Sequence, residues 1–138
     1  MDTESSGAAS FHASQNACIT IFLCFGPLLM QCTSLILTGE LSDQLYIYSI
    51  PIGLLTEGIL HANNARDIKS DTLAGASTLA MIIGFKNSYY LYVALLIGAY
   101  ISAIYIAFLY HIGCALTVLT IPLAMDLEKR FREKNMTG

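Results

Sequence analysis

Charge is scarce in this sequence. Asp, Glu, Lys and Arg make up 12% of its 138 residues, against roughly twice that share in ordinary soluble domains. No Lys or Arg occurs before residue 66. A secretory signal needs a positive leading segment and a short apolar run. The opening "MDTESSGAASFHASQNA" carries only acids, so no such signal is expected, and residues 1–16 read as a disordered lead-in. No C-x-x-C pair occurs among Cys18, Cys24, Cys32 and Cys114. All four sit in apolar runs and read as small apolar side chains; metal binding or a disulfide is the competing reading. No repeat or low-complexity tract stands out.

What is abundant is apolar length. The chain is 55% hydrophobic with a mean hydropathy of +0.60. Residues 17–38 are free of charge, and a helix needs about 20 such residues to cross a bilayer core. Pro27 inside this run predicts a kink, which membrane helices tolerate. A polar turn, "GELSD", follows. A second span starts near Leu45, with Tyr46 and Tyr48 placed as interfacial anchors. Glu57 lies within it, where an ionisable residue either lines a site or pairs with a neighbouring helix. His61, one turn on, is expected to pair with Glu57 or face the interface. Residues 72–86 are apolar but short and read as a connecting helix or lid. From Asn87 to Met125 there is no Asp, Glu, Lys or Arg. That length suits two more spans, split near Tyr110–Gly113, the last carrying Pro122. Tyr89, Tyr90, Tyr92 and Tyr110 are placed as further anchors. The fold class is therefore all-α: a polytopic transmembrane bundle of about four spans over 17–127, with a charged tail over 128–138.

All seven cations fall in two places: Arg66, Lys69 and Lys86 in the central connector, and Lys129, Arg130, Arg132 and Lys134 in the tail. Two spans separate the groups, so both are expected on one side. The positive-inside rule assigns that side to the cytoplasm. Topology thus accounts for the few cations, and nucleic acid is not an expected partner. The tail reads as a positive-inside anchor, with attraction of anionic lipid as the competing reading.

The densest polar stretch is "NNARDIKSD", residues 63–71. On a helix continuing from the second span, Asn63, Asp67 and Asp71 share one face, with about 5–6 Å between neighbouring Cβ atoms. Like charges four apart repel, more strongly near low dielectric. Arg66 and Lys69 project to other faces, so a divalent cation offsets the repulsion better. Mg²⁺ takes one or two carboxylates together with waters and phosphates, and Arg66 or Lys69 would then take phosphate oxygens. By spacing alone, a solvated helix end with mixed charges is the plainer reading, since an Asp-x-x-x-Asp pair is common.

The wording adds to the spacing. "NNARDIKSDTLAGASTLAMIIG" resembles the second Asp-rich motif of the UbiA-type intramembrane prenyltransferases. Asn63, Asp67, Asp71, Ala74, Gly75, Thr78, Leu79, Ala80 and Gly84 stand in the pattern's places. The flanks "TEGILHANNARD" and "LTIPLAMDLEKRFR" resemble the animal branch that makes menaquinone-4 (vitamin K2). The resemblance runs from about Cys18 to Arg132. It implies a helical bundle of about nine spans around a cavity, with two Asp-rich motifs at its cytoplasmic mouth holding Mg²⁺. It implies transfer of a polyprenyl group from its diphosphate, of geranylgeranyl type, to an aromatic quinol. Asp67 and Asp71 are the implied catalytic metal ligands. Asn63 is a partner in the same site, and Arg66 and Lys69 are diphosphate contacts.

The family's first Asp-rich motif has no counterpart in these residues. Early spans and a final one are expected to be missing, and this chain alone is expected to be inactive or incomplete as an enzyme. The alternative is a non-catalytic membrane protein of enzyme descent that binds lipid or other membrane proteins. A transporter would need paired broken helices in two repeated halves, and nothing here resembles them. The implied location is an endoplasmic reticulum, Golgi or mitochondrial membrane, with the motif facing the cytoplasm.

Overall fold

The computed structural model describes residues 16–136, with side chains over 16–133. The expected lead-in, apart from Asn16, lies outside the described residues. Every regular element described is helical, as expected.

Helix α1 runs Asn16–Thr38. Pro27 has no N–H to give and its ring would strike the carbonyl four residues back. The helix widens to a π-helical stretch over Cys24–Leu28, and the Leu29 N–H bonds the Cys24 carbonyl five residues back. The kink expected from Pro27 therefore takes the form of a π-bulge, one of the known causes of helix bending. Gly39 ends α1 in the left-handed conformation at φ 76°, with its N–H on the Leu35 carbonyl. The turn after it is fastened by buried Gln31. Its amide donates to the Ser42 carbonyl at 2.7 Å and accepts from the Ser42 N–H at 3.1 Å.

Helix α2 runs Asp43–Arg66. Its 24 residues span about 36 Å at ~1.5 Å each, more than the ~30 Å hydrocarbon core. One side is buried at four-residue intervals: Ser49, Gly53, Glu57, His61 and Ala65. These small and polar residues let neighbouring backbones approach closely. A Cβ added at Gly26 of α1 would lie 3.3 Å from the Ser49 carbonyl. One added at Gly53 would lie 2.8 and 2.9 Å from the Phe22 ring.

A short helix α3, Ile68–Leu73, follows. Helix α4 runs Leu79–Leu109, interrupted at Gly84 (φ 75°, ψ 163°). The connector expected over 72–86 is thus α3's end, a loop and one helical turn, and the span begins after Gly84. Ala99, Ala103 and Ala107 are buried on α4, which makes its most extensive pairing with α2.

The fourth expected span takes a different form. Among the described residues, three helices are long and apolar enough to cross a membrane: α1, α2 and α4. After Tyr110 the chain forms a 3₁₀ segment, Ile112–Thr120, and then helix α5, Ile121–Met136. Pro122 accounts for the last turn of the 3₁₀ segment. An α-helix through it would press its ring on the Val118 carbonyl. That carbonyl instead takes the Ile121 N–H three residues on, which is 3₁₀ geometry. Nine 3₁₀ residues cover about 18 Å at ~2.0 Å each.

The two cation groups lie at one end, as their spacing predicts. Phe85, beside Lys86, packs on Phe131, beside Arg132, with ring centroids 5.6 Å apart. At the opposite end Tyr48 meets Tyr110 edge-on at 6.2 Å. Many large apolar side chains face outward, including Ile36, Leu37, Phe108 and Leu119.

Candidate functional site

The polar stretch sits where α2 stops. Asp67 leaves helical geometry (φ −95°, ψ 10°) between α2 and α3, so the expected continuous helix is broken there. The four-residue linkage survives the break. The Asp67 N–H bonds the Asn63 carbonyl and the Asp71 N–H bonds the Asp67 carbonyl, each at 2.9 Å. Asn63 is exposed, while Asp67 and Asp71 are half-buried.

The residues after the motif punctuate the chain. The Ala76 N–H reaches the Asp71 carbonyl at 2.9 Å and the Gly75 N–H reaches Thr72 at 3.2 Å. Gly75 is left-handed at φ 71°. This is a Schellman cap, and it ends α3 directly after Asp71. Thr78 then caps α4, its hydroxyl accepting from the Met81 N–H. The Ala-Gly and Thr positions of the motif thereby fold the connector back beside the carboxylates.

Arg66 does not project away from the stripe as expected. Its guanidinium grips Asp67 with two bonds, Nε to Oδ1 and Nη2 to Oδ2, both 2.8 Å. Neighbouring residues on one helix face apart; the departure of Asp67 from helical geometry turns its carboxylate toward Arg66. That grip holds the Asp67 carboxyl below the usual carboxylate range. Lys69 is exposed, and no ion pair engages it among the described residues. Among the described residues no group of three or more His, Cys, Asp or Glu side chains could hold a metal.

Below the stripe lies apolar space. Ile52, Leu55, Ile59 and Asn63 recur at helical spacing, so they share a face of α2. One cavity of about 180 Å³ is lined by Leu55, Ile59 and Tyr92. A second of about 320 Å³ is lined by Ile52, Leu55 and Ile106. Both touch Leu55 and Tyr100. They lie between α2, α4, the 3₁₀ segment and α5, and Ile59, the α2 lining residue nearest the motif, stands one turn before Asn63.

Glu57 and His61 belong elsewhere. Both are buried, on the side of α2 facing away from Asn63, since two residues turn a helix by about 200°. The expected Glu57–His61 pair does not form. Glu57 is bonded to the Cys18 thiol, and His61 to the Ser88 backbone. Glu57 Oε2 and His61 Nε2 have no hydrogen-bond partner among the described residues. Nothing in the wording around Cys18 marks it as the carboxyl's neighbour. Tyr89 likewise donates to Glu128, a link between residues 39 apart in sequence that no local signal predicts.

Residues 6–135 match the UbiA prenyltransferase family. The chain belongs to this family. It is 44% identical over 117 residues to UbiA prenyltransferase domain-containing protein 1 of Gallus gallus, covering 85% of this chain and 35% of the relative. The Homo sapiens protein of that name is 43% identical over 116 residues, covering 84% and 34%. The Dictyostelium discoideum protein is 41% identical over 119 residues, covering 86% and 36%. The chain thus spans about a third of the length of the curated relatives it matches.

Proposed function

We propose that Asn63, Asp67 and Asp71 form one half of a Mg²⁺–diphosphate site for transfer of a polyprenyl group to an aromatic acceptor. Family membership supports the reaction type. The observation that carries the site is the Asn63–Asp67–Asp71 run, linked through its backbone, one turn beyond Ile59 and the apolar cavity that Ile59 lines. A polyprenyl diphosphate has that same division, a charged head and a long apolar tail.

The donor set fits the metal. Hard oxygens suit Mg²⁺, which is held by one or two carboxylates and completed by waters and phosphate oxygens. Asp67 and Asp71 would hold it, with Asn63 beside them. When bound, Mg²⁺ neutralises the diphosphate and stabilises it as a leaving group. Arg66 would release Asp67 and take a diphosphate oxygen, and Lys69 would take another. Leu55 and Ile59 would hold the isoprenoid tail and keep water from the reacting carbon. The allylic C–O bond breaks and its electron pair leaves with the diphosphate. A C–C bond forms to the aromatic ring, and the ring loses a proton.

An aromatic quinol acceptor, as in menaquinone or ubiquinone-type quinone synthesis, and a geranylgeranyl-type donor are the substrates of this reading. The cytoplasmic face is the side assigned to the motif by the cation distribution. The other Asp-rich motif of the pair, the family's first, has no counterpart in these 138 residues. The purified chain is therefore expected to bind geranylgeranyl diphosphate only with Mg²⁺ and to give little or no prenylated naphthoquinol. Asp67→Asn or Asp71→Asn should weaken that binding about tenfold or more, as expected when one charge-assisted interaction is removed. Equal binding with and without Mg²⁺, unchanged in both variants, would overturn the proposal.

A further inference from the structure

A second amphipathic recess lies next to the space beneath the motif, the two sharing Leu96 and Tyr100 of α4 and Ala124 of α5 as a common wall. Helix α4 turns Tyr92 toward the first space. It turns Val93, Ile97, Ile101 and Ile104 toward a cavity of about 480 Å³ against Ile121 and Met125 of α5. Ile97, Ile101 and Met125 remain more than half exposed, so the recess is an open groove. Its charge is confined to one end, where Glu128 and Arg132 line it beside Tyr89.

That end holds a carboxylate and a guanidinium one helical turn apart. Tyr89 donates to Glu128 Oε1, and Arg132 Nε approaches the same oxygen at 3.6 Å. At that separation the contact is not a hydrogen bond, and the guanidinium fork stays available to a phosphate. The charge lining the groove is balanced, Glu128 against Arg132. Balanced charge suits a headgroup carrying both signs better than a purely anionic one.

The lining also argues against another helix as occupant. Helix interfaces in membranes favour Gly, Ala, Ser and Thr, as the α1–α2 crossing shows with Gly26, Ser49 and Gly53 and the α2–α4 pairing with Gly58 and Gly98. The groove is lined mainly by Val, Ile and Met instead. From Tyr89 to Ile104 it runs about 22 Å at ~1.5 Å per residue, longer than one leaflet's ~15 Å share of the hydrocarbon core. An acyl chain fits such a groove with its headgroup at the polar end.

We infer that the α4–α5 groove binds one phospholipid whose headgroup carries a phosphate and a primary ammonium. Arg132 takes the phosphate, and Glu128 takes the ammonium, which has N–H donors that a quaternary amine lacks. The site does not depend on the prenyl-transfer reading.

The test is native mass spectrometry of the full chain released from micelles holding equal phosphatidylethanolamine, phosphatidylcholine and phosphatidylglycerol. One phosphatidylethanolamine should be retained about tenfold over each of the others, the ratio expected of one charge-assisted interaction. Arg132→Gln and Glu128→Gln should each remove that preference. Ile97→Trp, which fills the groove, should lower retention of all three lipids. Circular dichroism matching the parent chain shows that each variant is folded; if Ile97→Trp is not, Ile101→Trp replaces it. Retention of phosphatidylglycerol at or above phosphatidylethanolamine overturns the inference. So does an unchanged preference in both Gln variants, or displacement of the lipid by geranylgeranyl diphosphate.

Discussion

At the scale of single residues, Asp67 decides most. Its spacing from Asn63 and Asp71 is visible in the chain, and so is its chemistry. Its partner is not, because the Arg66 grip exists only where Asp67 departs from helical geometry. The grip has a measurable sign. A folded carboxyl held low stays ionised as pH falls through the ordinary range near ~3.9. It contributes stability above that range, and the contribution is lost as pH falls through the lowered value. Because both side chains are substantially exposed, water screens the pair and the contribution is small. Carbon-13 titration of the Asp67 carboxyl should therefore give a midpoint below ~3.9, moving upward in Arg66→Gln. A midpoint that ignores Arg66 would show the pair to be absent in solution. Glu57 and His61 teach the converse. Their i, i+4 spacing suggests a pair, but neighbouring helices supply nearer partners in Cys18 and Ser88.

At the scale of elements, long apolar runs made α1, α2 and the main part of α4 legible, since backbone groups in lipid must bond within a helix. The fourth run was not legible in form. Its composition is as apolar as the others, and Pro122 sets only the geometry of the last turn, at the Val118 carbonyl. The motif's Gly75 and Thr78 were recognisable as wording before their roles as caps were evident. The α1–α2 crossing likewise rests on glycines that periodicity does not flag. At Gly53 a new Cβ would meet the Phe22 ring and, at 3.3 Å, the Phe22 carbonyl. Gly53→Ala is expected to cost about 1–3 kcal/mol, the usual range for overpacking. Thermal unfolding in detergent measures it. Phe22→Leu in the same chain should recover most of the loss, and a Gly53→Ala protein as stable as the parent would remove this crossing from the account.

At the scale of the whole molecule, the elements place charge and oil in register. The two cation groups and the Asp motif share one end, and apolar cavities begin one turn away along the Ile52–Leu55–Ile59 face. This joint arrangement was beyond the sequence, because it depends on which face of α2 meets α4. The central claim is that the motif and these cavities are one site, reading head and tail of one ligand. Isothermal titration with Mg²⁺ of two ligands, inorganic diphosphate and geranylgeranyl diphosphate, tests it most directly. Asp67→Asn should weaken both. Ile59→Trp, which fills the cavity one turn below Asn63, should weaken only geranylgeranyl diphosphate, and about tenfold or more because the tail no longer buries its apolar surface there. Geranylgeranyl diphosphate binding that survives Ile59→Trp unchanged would contradict the account, because head and tail would then occupy unrelated places.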